Sequence, residues 1–116
     1  MKNKLSIYTL WCIGRKAYCN KNNYSNIIEK YSNFYSYYYG NSYLFSRENI
    51  RKMVILYLNF PIYYEQLEKV NWEQYRILLS VSNKIERYFY FKTLLFFKDN
   101  DIEISTLINS NIYTRI

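Results

Sequence analysis

The sequence contains no histidine and only two glycines, and these absences exclude several kinds of catalytic site. Histidine is the commonest general base in enzymes, so the most frequent acid–base chemistry lacks its usual side chain. A Gly-rich phosphate-binding loop needs more glycine than the chain holds. The two cysteines, Cys12 and Cys19, make a poor zinc site without histidine. We therefore expect no enzyme activity, no metal and no cofactor.

Proline and long apolar runs are equally scarce. With one proline and two glycines among 116 residues, the chain is short of the turn residues that sheet proteins use, which favours helices joined by short loops. The most apolar stretch, residues 85–97, is interrupted by Arg87 and Lys92, so no membrane span is predicted. No apolar signal-peptide core precedes the cysteines. We expect a cytoplasmic protein with reduced thiols and no membrane partner.

Positive charge is abundant and lies in one half of the chain. Residues 1–60 contain nine basic and two acidic side chains, a net charge of +7, whereas the charges of residues 61–116 cancel. Such a local excess attracts polyanions through phosphate contacts and counterion release. A basic surface that merely keeps the protein soluble would produce the same charge, and composition does not separate the two interpretations.

Apolar residues recur at spacings of three and four, which predicts helices rather than the strands that tyrosine alone would favour. The predicted helices are Lys4–Ala17, Tyr24–Tyr38, a helix capped by Ser46 and ended by Pro61, Ile62–Val70, a helix capped by Asn71, a helix from Ser82 or Asn83 to about Phe97, and Ser105–Ile116. Gly40 stands where the second helix must end. Together these elements predict a single all-α domain spanning residues 1–116.

Residues 24–58 have the layout of a helix-turn-helix, in which the second helix offers its exposed N-terminal side to the DNA major groove. That helix carries a candidate buried stripe of Ile50, Met53, Val54 and Tyr57. Polar and basic residues lie beside or opposite this stripe, and the candidate DNA-binding residues are Ser46, Arg47, Asn49, Arg51 and Lys52. An ordinary solvated amphipathic helix would show the same pattern.

The same helix contains a longer pattern, which reads Phe45-Ser46-Arg47-Glu48-Asn49-Ile50-Arg51-Lys52-Met53 and continues to Tyr57, Phe60 and Pro61. Similar runs elsewhere are Leu10-Trp11-Cys12-Ile13-Gly14, Trp72-Glu73-Gln74-Tyr75-Arg76-Ile77-Leu78-Leu79, Arg87-Tyr88-Phe89-Tyr90 and residues 108–115. In order and spacing they resemble the N-terminal domain of the bacterial YhcG-like PDDEXK nucleases. The resemblance implies a helical, winged-helix-like DNA-binding region that normally precedes a nuclease domain.

The resemblance does not imply nuclease activity in this chain, which we expect to be a truncated or split family member. Gln74 replaces a histidine of the family pattern, and residues 99–102 replace a Trp-Ser-x-Arg stretch. A PDDEXK centre needs clustered carboxylates and a lysine around Mg²⁺. The densest acidic group, Asp99, Asp101 and Glu103, falls on a predicted break and is interpreted as a solvated loop.

Two other interpretations remain open at this point. The aromatic residues of the helix at about 83–97 cover more of its circumference than a surface helix needs. This helix could mediate self-association, could pair with a separate nuclease subunit, or could lie at the centre of the core. A protein–protein interaction domain is therefore the alternative to DNA binding. The tyrosines at positions 37–39 could stack on single-stranded bases, although packing in the core or against the turn is favoured.

Overall fold

The computed structural model describes residues 5–20, 24–96 and 108, and all regular structure in them is helical. The helices are α1 (Ile7–Cys19), α2 (Tyr24–Tyr39), α3 (Arg47–Asn59), a 3-10 helix (Glu65–Lys69), α4 (Trp72–Leu78) and α5 (Lys84–Phe96). No residue within these described ranges lies in a strand. These helices confirm the predicted all-α fold class. The spacing of apolar residues by three and four outweighs the preference of tyrosine for strands.

The chain forms two compact units, Met1–Tyr63 with α1, α2 and α3, and Tyr64–Ile116 with the 3-10 helix, α4 and α5. In the first unit α1 packs mainly on α3, and α2 contacts both. The single domain expected for residues 1–116 stays a prediction.

A very close approach of α1 to α3 organises the first unit. Gly14 of α1 is buried, and a methyl group built on its Cα would overlap the main-chain carbonyl of Met53 in α3. Only a residue without a side chain allows two helix backbones to come so near. The apolar side chains buried in these two helices are Ile7, Leu10, Trp11, Ile13, Ala17, Ile50, Met53, Val54 and Leu56.

Trp11 hydrogen-bonds to the backbone just beyond the C-terminal end of α3. Its indole Nε1 donates a hydrogen bond of 2.7 Å to the main-chain oxygen of Phe60. Its ring meets those of Tyr57 and Tyr63 edge-on, at centroid distances of 5.5 Å and 5.7 Å. The donor satisfies a carbonyl just beyond the helix end, where helical partners are lacking. The tryptophan of the Trp-x-Ile-Gly run is therefore a structural residue here.

The second unit is built around Tyr75 of α4, which is fully buried. Its hydroxyl donates a 2.7 Å hydrogen bond to the main-chain oxygen of Leu67, and its ring stacks on Phe91 of α5. Asn71 and Gln74 form the reciprocal capping box that begins α4. At the start of α5, the Asn83 side chain accepts from the Glu86 amide, so the cap is Asn83 and not Ser82.

Some helix bounds differ from the predicted ones. The first helix begins at Ile7 instead of Lys4, because the Ser6 hydroxyl accepts from the Thr9 amide and caps it there. The predicted helix Ile62–Val70 is reduced to the 3-10 helix Glu65–Lys69, whose N-terminus has no side-chain cap. The predicted last helix, 105–116, lies outside the described residues apart from Ile108.

Candidate nucleic-acid interface

The turn between α2 and α3 holds the start of α3 in one defined position. Gly40 has a φ of 66°, the left-handed conformation that glycine adopts without strain and that the sequence predicts at this helix end. The Asn41 amide then donates to the Ser36 oxygen at 3.1 Å, and the Asn41 side chain accepts from the Leu44 amide at 2.9 Å. Phe45 is fully buried at the end of this turn.

Ser46 is the N-cap of α3, as the sequence predicts. Its hydroxyl accepts from the Asn49 amide at 3.2 Å, and its main-chain oxygen accepts from the Ile50 amide at 2.9 Å. The side chain is half-buried. Because the hydroxyl oxygen is already engaged, the main contribution of Ser46 is to begin the helix and so to set where the next side chains point.

Arg47 and Arg51 are exposed and share one face of α3. They lie four residues apart, which places them on successive turns of the helix. Neither guanidinium makes an ion pair or a hydrogen bond within the described residues. Two like charges at this spacing repel each other slightly, so the arrangement costs a little stability. No ion pair within the described residues offsets this cost, although Glu48 lies three residues before Arg51.

Lys52 lies on a different flank of α3 and is half-buried. Glu48 precedes it by four residues, the spacing and order at which a glutamate favours a lysine on a helix. The negative charge of Glu48 therefore lowers the positive potential on this flank. Lys52 is the weaker member of the predicted basic set.

Asn49 is not exposed, which corrects its expected place on the polar side of α3. It is only 1% accessible, and its side-chain Nδ2 donates to the Tyr43 main-chain oxygen at 3.0 Å. The residue lies four positions before Met53 and seven before Leu56, so it belongs to the buried face. Asn49 joins the turn to α3 and cannot reach a base edge in this conformation.

The outer side of α2 carries three large aromatic side chains in water. Phe34 is 54% exposed, Tyr37 is 90% exposed and Tyr38 is 67% exposed. We call these three residues the α2 aromatic surface. The favoured packing of the tyrosines in the core is therefore wrong for Tyr37 and Tyr38, whereas Tyr39 stacks on the buried Phe45 of the turn at 5.2 Å.

The spacing of these residues gave little signal for this surface. Tyr31, Phe34, Tyr35 and Tyr38 have the i, i+3, i+4, i+7 spacing of one ordinary buried stripe, and only Tyr37 falls outside it. Phe34 and Tyr38 face water although the pattern places them with the half-buried Tyr31 and Tyr35. Burial raises the pKa of Tyr35, with Tyr31 and Tyr39 adding to the rise, so the Tyr35 hydroxyl stays uncharged at neutral pH.

The charge of this unit is not neutralised internally. Its described residues include six basic side chains: Arg15, Lys16, Lys30, Arg47, Arg51 and Lys52. None of the six makes an ion pair inside the ranges that the structure describes. The acidic side chains of the same ranges are Glu29 and Glu48, so a clear positive excess faces solvent.

Among the described residues, no cluster of three or more candidate ligands could hold a metal ion. The acidic group Asp99, Asp101 and Glu103 lies outside those residues. Likewise, the helices of the described ranges include none with the length and apolarity needed to cross a bilayer.

Comparisons with known proteins return no relative: no family model, no curated protein and no solved structure matches this chain.

Proposed function

We propose that this protein binds double-stranded DNA through the face of α3 that carries Arg47 and Arg51. The observation that supports the proposal most directly concerns these two side chains. Both arginines are exposed near the start of α3, and neither forms an ion pair with another described residue. The major groove admits an α-helix, and arginine is the side chain best suited to guanine edges and phosphates. Ser46 begins that helix, and Lys52 adds charge on its flank.

The surrounding structure supports a rigid presentation of these two side chains. α3 is held from one side by the close approach at Gly14 and from its N-terminal end by the Asn49 hydrogen bond to the turn. Side chains on a fixed scaffold lose less freedom on binding than side chains on a mobile loop. The proposal assigns no catalytic residue, since the role of the protein in it is binding alone.

From the resemblance to the N-terminal domain of YhcG-like PDDEXK nucleases we also propose a biological setting for this binding. In that setting the helical region would deliver a nuclease to DNA. Most residues of the two Trp-containing runs are buried here, among them Leu10, Trp11, Tyr75 and Leu78. These runs therefore describe a fold, and the DNA-binding role rests on the arginines of α3.

Replacement of both arginines, Arg47→Ala with Arg51→Ala, should weaken duplex binding strongly while the helix content stays unchanged. Each lost contact should cost on the order of 1 kcal/mol or more, because a phosphate or base edge loses its partner. The logarithm of affinity should also depend less steeply on the logarithm of salt concentration, by about 2 in slope. Fluorescence anisotropy with a labelled duplex over a salt series measures both quantities.

The matched control is Lys69→Ala with Lys84→Ala, which removes the same charge from exposed positions of the second unit. This control should retain nearly all duplex affinity. Equal losses in the two double variants would indicate a diffuse charge effect, and no binding of the unaltered protein at low salt would end the proposal.

A second candidate function, protein–protein interaction, is favoured by one specific observation on α5. Ile85, Tyr88 and Phe96 are 71%, 53% and 80% exposed, and helical spacing places them on the same side. Tyr90, Phe91 and Leu94 are buried on the other side, so the wide aromatic band of this helix serves only partly as core. Exposed apolar side chains that share a face are typical of an interface.

If α5 mediates self-association, sedimentation at micromolar concentration should show a dimer that Ile85→Glu converts to a monomer. A charge placed in an apolar interface loses its hydration without gaining a partner. Lys69→Glu is the control and should leave the dimer intact, because this exposed position lies in the 3-10 helix and not on α5. A strictly monomeric unaltered protein would remove this candidate.

A further inference from the structure

We propose that the α2 aromatic surface, Phe34, Tyr37 and Tyr38, binds the unpaired bases of a single-stranded nucleic acid. Large aromatic side chains are normally buried, and here three of them face water on adjacent turns of one helix. Every nucleobase offers a flat π face, so a row of exposed rings can stack on bases without regard to sequence. This inference goes beyond duplex binding by α3, because it concerns another helix and another form of nucleic acid.

Two rings of this surface, those of Phe34 and Tyr38, are held in place before any ligand binds. Phe34 and Tyr38 lie nearly parallel, with centroids 5.8 Å apart and an interplanar angle of 10°. Tyr38 meets Tyr39 edge-on at 4.9 Å, and Tyr39 stacks on the fully buried Phe45. A continuous series of ring contacts therefore joins the exposed rings to the core. Prearranged rings lose little conformational freedom when a base stacks on them.

Tyr37 adds the most accessible ring. It is 90% exposed and has no ring contact within the described residues. Both of its faces are thus open to a ligand. It lies three residues from Phe34, so a strand that follows the helix surface can meet the two rings in succession.

Charge complementarity identifies the occupant as a nucleic acid. Lys30, exposed and four residues before Phe34, lies on the same side of α2, where its ammonium group can meet a phosphate. The first half of the chain carries a net charge of +7. A second copy of the same basic unit would be repelled by this charge, whereas a polyanion is attracted. A duplex hides the faces of its bases, so stacking requires a single strand.

The test measures anisotropy with a labelled oligo(dT) of ~15 nucleotides, a length in the range that single-strand binding folds cover. The full chain is compared with Phe34→Ala, Tyr37→Ala and Tyr38→Ala, each checked for unchanged helicity. Each lost ring should weaken binding at least about fivefold, because base–aromatic stacking contributes that much per base. An oligo(rU) probe of equal length is the second arm, and tighter binding to it would assign the surface to RNA.

Three controls make the result specific. Tyr37→Phe keeps the ring and should keep the affinity, and Tyr88→Ala removes a ring 53% exposed in the second unit and should have no effect. An abasic strand of equal length keeps the phosphates but not the bases, so it should bind weakly and equally to all variants. Duplex affinity should depend on Arg47 and Arg51 and not on these rings, which separates this inference from the proposed function.

Unchanged oligo(dT) affinity in the folded Tyr37→Ala protein would overturn the inference, and so would equal binding of abasic and base-bearing strands. A change from dimer to monomer in the ring variants would overturn it as well, because the α2 aromatic surface would then belong to contact with a second copy. Because Tyr37 is almost fully exposed, its variant should fold normally and the test does not depend on the partly packed rings.

Discussion

Gly14→Ala should destabilise the first unit by at least about 3 kcal/mol, at the upper end of what overpacking in a protein interior costs. The added methyl group would overlap the carbonyl carbon and oxygen of Met53, which are backbone atoms and cannot rotate away. α1 and α3 would have to separate, and the side chains buried between them would lose contacts. In an open helical site the same change stabilises by up to about 1 kcal/mol, so the sign alone tests the close approach.

Urea denaturation followed by tryptophan fluorescence measures this effect. The sequence contains two tryptophans, Trp11 in the first unit and Trp72 in the second, so a Trp72→Phe background makes Trp11 the reporter for the first unit. Gly40→Ala is the matched control, because Gly40 has a φ of 66° but no atom within 4 Å of an added methyl group. It should cost about 1 kcal/mol through backbone strain alone. A Gly14→Ala protein as stable as the parent would contradict the α1–α3 packing.

Tyr75→Ala should destabilise the second unit by roughly 3–5 kcal/mol, the usual cost of truncating a large buried aromatic side chain. The ring is fully buried and stacks on Phe91, so its removal leaves a cavity beside α5. Tyr75→Phe should cost less, about 1–3 kcal/mol, because it keeps the ring and leaves the Leu67 carbonyl without its hydrogen-bond donor. Together the two variants separate the contribution of ring packing to the free energy of unfolding from that of the hydroxyl.

Trp72 fluorescence in a Trp11→Phe background reports on this unit. Tyr88→Phe is the control, since it removes the hydroxyl of a tyrosine that is 53% exposed, and its effect should stay within about 0.5 kcal/mol. If Tyr75→Phe and Tyr88→Phe were equally stable, the buried hydrogen bond to Leu67 would contribute nothing measurable.

The Gly14 and Arg47 positions have different roles in the proposed binding of DNA, and the variants distinguish these roles. Gly14→Ala disturbs the support of α3 and should lower duplex affinity only together with stability. Arg47→Ala and Arg51→Ala remove exposed groups and should lower affinity at unchanged stability. Affinity and unfolding measured on the same protein samples therefore separate a residue that positions the helix from one that contacts DNA.

Local physical chemistry made most of the helices predictable from the sequence. Serine at position 46 and asparagine at position 71 cap the helices that follow, because each side chain accepts from a backbone amide one turn on. Gly40 ends α2 with a positive φ, as a residue without a side chain can. Such interactions join residues three to five apart, so the sequence contains both partners. The same helical spacing predicts Arg47 and Arg51 beside the buried stripe, and both side chains are exposed.

The tertiary structure decided which side of each helix is covered, because burial depends on neighbours that are distant in sequence. Asn49 had the pattern of an exposed polar residue, yet it lies under the turn and bonds to Tyr43. Tyr37 and Tyr38 had the composition of core residues, yet α2 turns them to water. The sequence marks Gly14 only through the resemblance, whereas the physical reason for a glycine at this position is the Met53 carbonyl on another helix. Helical periodicity fixes the angles between side chains around one axis, but only packing with a second axis determines which of those angles points inward.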